Sequence, residues 1–147
     1  RILDELGAKV RGGAGRTGTL AGSEAFHEQY AKAEGKYRAA RAFVREVWGD
    51  LSASLDAGTP PTVRQHTLIR IALTNMTWTC HGVSQFAYTA AGTLALRSGP
   101  MQRLFRDMHA GTQHVTSAPP VIPTVGRELA GLAPGKKWLF FDLVDQA

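Results

Sequence analysis

The residues best equipped for chemistry lie between positions 98 and 114, where ionisable and amide side chains alternate with apolar ones at helical spacing. Met101, Leu104, Phe105 and Met108 recur at steps of three and four, which is the pattern of one buried helical face. Pro100 suits the first turn, where its missing N–H is not needed. Arg103, Asp107 and His114 form a second stripe, and Gln102, Arg106, His109 and Gln113 a third. Imidazole, guanidinium and amide groups on two faces supply hydrogen-bond donors and anion contacts. The adjacent Arg106 and Asp107 read as a structural pair. Trp78, His81 and Gln85 lie off the apolar stripe of their own segment and read either as contacts between helices or as the lining of a cavity.

These side chains need a scaffold, and the composition supplies one. With 44% hydrophobic and 20% charged residues, 147 residues make one ordinary domain with a real core. No uninterrupted apolar run reaches membrane-spanning length, and the first residues lack a signal-peptide pattern, so no membrane partner is expected. Cys80 is the only cysteine, which excludes an intrachain disulfide and a thiolate metal cluster. The five histidines have no ligand-like grouping, so no metal is expected, and the thiol content favours a reducing cytoplasm. The net charge of +5 is dispersed, only Lys136 and Lys137 being adjacent, which argues against nucleic acid as a partner. The opening Arg1-Ile2-Leu3-Asp4-Glu5-Leu6 already sits inside an amphipathic pattern and reads as the continuation of something longer.

Residues 1–10 are expected to form the end of a helix, closed by a glycine-rich loop from Gly12 to Gly18. Ser23 is a candidate N-cap for a long helix over 23–57, whose stripe runs Phe26, Tyr30, Ala33, Tyr37, Ala40, Val44, Val47, Leu51 and Leu55. A second long helix over 61–94 carries Ile69, Leu73, Met76, Cys80, Val83, Ala87, Ala90 and Leu94. Each would run roughly 50 Å at 1.5 Å per residue. A third helix spans 100–115. The expected fold is all-α: an antiparallel four-helix bundle over 1–115 with its first helix truncated, and an irregular C-terminal extension over 116–147 with a helical turn near 126–132. Such exposed helix flanks, and the apolar Trp138-Leu139-Phe140-Phe141, suggest a homo-oligomer, either dimer or tetramer.

Ala90-Ala91-Gly92-Thr93, followed eight residues after Gly92 by the Pro-x-x-Arg-x-x-Arg-Asp pattern of 100–107, resembles the C-terminal domain of the acyl-CoA dehydrogenase superfamily. The resemblance covers nearly the whole chain. It implies a subunit with an N-terminal helical domain, a middle β-domain and this bundle, with flavin held between them and partly against a neighbouring subunit.

Two branches of that superfamily are distinguishable by residue. Well-known dehydrogenases carry a catalytic Glu eight residues beyond the Asp of the Arg-Asp pair, and Val115 stands there in this chain. No Asp or Glu occurs between Asp107 and Glu128, so this segment offers no base for proton abstraction, although some dehydrogenases place theirs on another helix. Their paired glycines are reduced to Ala91-Gly92, and their upstream Gln is Tyr88. The string from Met101 to His114 is similar to two-component flavin-dependent monooxygenases, including the oxygenases for p-hydroxyphenylacetate, dibenzothiophene and steroid-derived phenols. That likeness implies reduced flavin (FMN or FAD) delivered by a separate flavin reductase. It also implies a C4a-peroxyflavin that hydroxylates an aromatic or polycyclic small-molecule substrate. His114 would be the catalytic group, donating a hydrogen bond at the flavin C4a–N5 edge. Gly92, Thr93 and Val115 would contact the flavin, and Arg16 its phosphate across a subunit interface. An acyl-CoA dehydrogenase and a non-catalytic helical oligomerisation module are the alternatives.

Overall fold

The computed structural model describes residues 1–139 and 142–145. It divides into two compact units, residues 1–39 with 78–112 and residues 40–77 with 113–147. Helix α1 (Ile2–Arg11), α2 (Glu24–Asp56), α3 (Val63–Ala91), α4 (Pro100–Gly111) and α5 (Ile122–Leu129) make the fold all-α, and among the described residues the only strands are those of one two-stranded hairpin.

In the first unit four helical segments share one core. Leu3 and Leu6 of α1 meet Ala33 of α2, Val83, Ala87 and Ala91 of α3, and Met101 of α4. Small side chains at 33, 87 and 91 allow close helix approach, and the two leucines fill the space between. Each fully buried leucine contributes about 1.5–3 kcal/mol. Tyr30 donates to the Leu3 carbonyl at 2.9 Å, fastening α2 to α1. Ser23 caps α2 as its sequence suggests, its Oγ accepting the Phe26 N–H at 3.2 Å. The glycine-rich stretch after α1 is more ordered than a loop, because Gly15–Gly22 forms a 3-10 helix. It sits tightly. A Cβ at Gly18 would lie 2.8 Å from the Gly13 Cα.

In the second unit Val47 of α2 packs on Ile69 and Ala72 of α3, with Phe43, Val44, Leu51, Leu68 and Leu73 around them. A capping box opens α3: Gln65 Oε1 accepts the Thr62 N–H at 2.9 Å, and Thr62 Oγ1 accepts the Gln65 N–H at 3.1 Å. Gln65 also donates to Ser54 Oγ at 2.7 Å, which ties the two long helices at their turn.

Three expectations change. The second long helix ends as α-helix at Ala91, where Gly92 turns left-handed at φ +57°, and 92–96 continue as a 3-10 helix. The third ends at Gly111 and does not reach 115, because the Thr112 hydroxyl bonds back to the His109 carbonyl at 2.7 Å and competes with the helical ladder. His114 therefore lies off α4, in extended backbone at φ −73°, ψ 129°. The C-terminal extension is not irregular. It forms 3-10 turns at Val115–Ser117 and Pro119–Val121, then α5, then an antiparallel pair β1 (Lys136–Leu139) and β2 (Asp142–Asp145) with Trp138 opposite Leu143. Val121 and Val125 are its buried anchors. Arg64 pairs with Glu128 at 3.0 Å, and Trp138 donates to Thr67 Oγ1 at 2.8 Å with Arg70 over its ring. Trp138 thus packs within the chain, Leu139 is exposed, and Phe140 and Phe141 lie outside the described residues.

Candidate functional site

Gly92 and Thr93 are both exposed at the end of α3. The left-handed turn at Gly92 is the close expected of a helix C-terminus. A Cβ built there meets nothing within 4 Å, so the chain leaves its backbone open to approach. Arg16 is exposed on the 3-10 helix that the Thr17 hydroxyl ties to the Ala91 carbonyl at 3.2 Å, so the structure brings its segment beside Gly92.

The same unit holds two adjoining recesses at the start of α4. One of about 500 Å³ is lined by Ser98, Gly99, Pro100, Gln102, Arg103 and Arg106. Another of about 210 Å³ adds Lys9, Leu94 and Arg97. Among the described residues four cations line these recesses and no carboxylate does. Arg106 and Asp107 are both exposed and make no ion pair among the described residues, which corrects the structural pairing expected of them. Gly99 supplies no side-chain cap, so the first-turn N–H groups of α4 have no side-chain acceptor from it. Guanidinium groups, an uncapped helix start and the positive end of its dipole make an anion site, of the kind phosphate esters use.

His114 and Val115 belong to the second unit. His114 caps the short 3-10 turn after it, its Nδ1 accepting the Thr116 N–H at 3.3 Å and lying 2.7 Å from Thr116 Oγ1. An Nδ1 that accepts has no proton of its own, so the neutral ring carries its proton on Nε2. The ring is exposed and presents a fixed N–H donor outward. Val115 is half exposed and brings no ionisable group.

One cluster escaped the sequence pairing. His81 Nε2 lies 3.1 Å from His109 Nδ1, joining α3 to α4. The pair sits in a run of rings: Trp78 edge-on to His81, His109 stacked on Phe105, and Phe105 stacked on Tyr88 at 4.0 Å. Each stripe was visible alone, at 78–81 and at 105–109, but nothing in the sequence says that they face each other. Among the described residues no group of three or more His, Cys, Asp or Glu is placed to hold a metal ion, and no helix is long and apolar enough to cross a membrane.

No curated protein and no solved structure matches the chain. A family model described as the acyl-CoA dehydrogenase C-terminal domain matches residues 2–119, which span α1 to α4, the open Gly92 and the cationic recesses. With that match over most of its length, this chain belongs to the acyl-CoA dehydrogenase C-terminal domain family, a family of flavin-dependent oxidoreductases.

Proposed function

We propose that the chain is the C-terminal part of the oxygenase component of a two-component flavin-dependent monooxygenase, one that hydroxylates an aromatic or polycyclic small molecule. The observation that carries this reading is His114, whose Nδ1 accepts from Thr116 and leaves Nε2 as the donor, next to Val115 where well-known dehydrogenases carry a carboxylate. The residues present fit a flavin. The carboxylate-free recess with Arg103 and Arg106 suits its phosphate, and the open backbone at Gly92 admits a flat group.

When bound, reduced flavin supplies the two electrons that activate dioxygen. The chain's own residues then bind and orient. Arg103, Arg106 and the start of α4 hold negative charge, with Arg16 as a further cation. Gly92 and Thr93 offer open contact surface at the end of α3, and Val115, in the second unit, brings no base. His114 Nε2–H donates a hydrogen bond where negative charge develops on oxygen, and Thr116 keeps the ring from turning away. A separate reductase supplies the reduced flavin, FMN or FAD, and the working form is a homo-oligomer in the cytoplasm.

The test is His114→Ala in the complete enzyme, supplied with reductase, NADH and a phenolic substrate. A lost donor at such a site costs about 2.7–4 kcal/mol. Flavin affinity should hold within threefold, while the hydroxylated product per NADH collapses and hydrogen peroxide rises to replace it. Unchanged coupling returns His114 to capping its turn. Anaerobic reduction of bound oxidised flavin by an acyl-CoA selects the dehydrogenase instead.

A further inference from the structure

A further cavity lies in the first unit and shares no lining residue with the cationic recesses. Its volume is about 380 Å³, within the ordinary size range of small-molecule sites, roughly 300–1,000 Å³. Leu3 of α1, Tyr37 of α2, Val83 of α3, and Leu104 and Met108 of α4 give it apolar walls. Ser84 also lines it. That side chain is 2% exposed, and its Oγ has no hydrogen-bond partner among the described residues. A buried hydroxyl left in this condition costs about 1–3 kcal/mol, and native proteins rarely tolerate it without a compensating contact.

The rim carries charges of both signs. Arg1 and Arg38 stand against Asp4 and Glu34, and Arg38 pairs with Glu34 at 2.6 Å. An occupant therefore meets paired charges at the entrance and apolar walls inside, with one hydroxyl to satisfy in the wall. Cys80, also in the lining, does not alter this, since burial pushes its thiol up from its ordinary pKa and holds it neutral.

We infer that this cavity is a binding site for a neutral, compact, apolar molecule carrying one hydroxyl or carbonyl group, which hydrogen-bonds Ser84. Among the described residues its lining comes from Arg1 and α1 to α4 and shares nothing with the candidate flavin contacts. Its test therefore stands apart from the monooxygenase reading.

Cys80 is the only cysteine, so alkylation by iodoacetamide reports on this cavity alone. The probe is 1-adamantanol, a rigid neutral alcohol, and the control is adamantane-1-carboxylate, of the same body but charged. Saturating 1-adamantanol should slow Cys80 alkylation at least tenfold, and the carboxylate less than twofold at equal concentration. Ser84→Ala should weaken the alcohol's half-protecting concentration about three- to tenfold, the worth of one hydrogen bond. Leu104→Trp, which fills the space, should remove protection while circular dichroism remains helical. The inference is overturned if 1-adamantanol fails to protect, if the carboxylate protects equally, or if Ser84→Ala leaves the alcohol's affinity unchanged. Any of these leaves Ser84 a hydroxyl satisfied by solvent.

Discussion

Replacing Gly92 separates two reasons for a glycine at the end of α3. Its φ of +57° lies in the left-handed region, where an L side chain costs about 1–2 kcal/mol. The space around it is empty, a built Cβ meeting nothing within 4 Å, so Gly92→Ala bears that conformational cost and no clash. For a chain of this size, 1 kcal/mol moves Tm by about 2–4 °C. Gly92→Ala should therefore lower the thermal midpoint by about 2–8 °C, read by circular dichroism at 222 nm. Asparagine tolerates the same backbone region, so Gly92→Asn should recover most of that loss. Flavin affinity in the complete enzyme then tells the two roles apart. If a cofactor approaches this backbone, both side chains intrude and both variants lose affinity, whatever their stability. An unchanged midpoint in Gly92→Ala would refute the strain argument. Full flavin affinity in Gly92→Asn would make the glycine a helix terminator only.

Three further outcomes are open to direct measurement. Trp138→Phe removes the donor to Thr67, a fully buried residue, at a cost of about 1–3 kcal/mol; amide exchange in Lys136–Leu139 should accelerate about ten- to a hundredfold with α1 unaffected, and equal acceleration in α1 would contradict a local role. Burial raises the Cys80 pKa, so alkylation of the folded chain should inflect at higher pH than in urea, and the thiol's contribution to stability, present below the unfolded pKa, is lost as pH rises through the folded one; coincident inflections would refute this. Trp48 and Leu55 are 43% and 56% exposed on α2, and with the homo-oligomer reading a Trp48→Lys variant should sediment at lower mass than the parent, while a monomeric parent at high concentration refutes it.

The stripe read from the sequence for α2 matches its burial, with Ala33, Ala40 and Val47 inside, except that Leu55 in the last turn is exposed. For α3 the apolar stripe locates Ile69, Val83 and Ala87 but misses most of what is buried, Ala72 included. Thr67, Thr74, Ser84 and Ala91 line a second covered face at the same three-and-four spacing. Threonine and serine there look like surface to a reading that counts apolar residues, whereas Thr67 is sheltered by its bond to Trp138. The end of α4 was misjudged because the stripe continues beyond it, and one local hydroxyl at Thr112 overrides periodicity. At the candidate site the glycine cap at 92 was legible, since it depends on local backbone alone. The cationic recesses were not. Lys9, Arg97 and Arg103 come from separate stretches, and only tertiary packing puts them around one space.

The bond from Thr17 to the Ala91 carbonyl carries a consequence for motion. The final carbonyls of a helix have no partner within it, and here one is met by a side chain 74 residues away. That side chain stands on a glycine-rich 3-10 segment whose ordering costs more chain entropy than most. When this segment lifts away, α3 loses an acceptor's partner at its last turn, beside Gly92. Loosening of the loop and fraying of the helix are then one event with one free energy. The width of the surface at Gly92 would fluctuate with the loop, which makes the 3-10 segment a latch on whatever that surface receives.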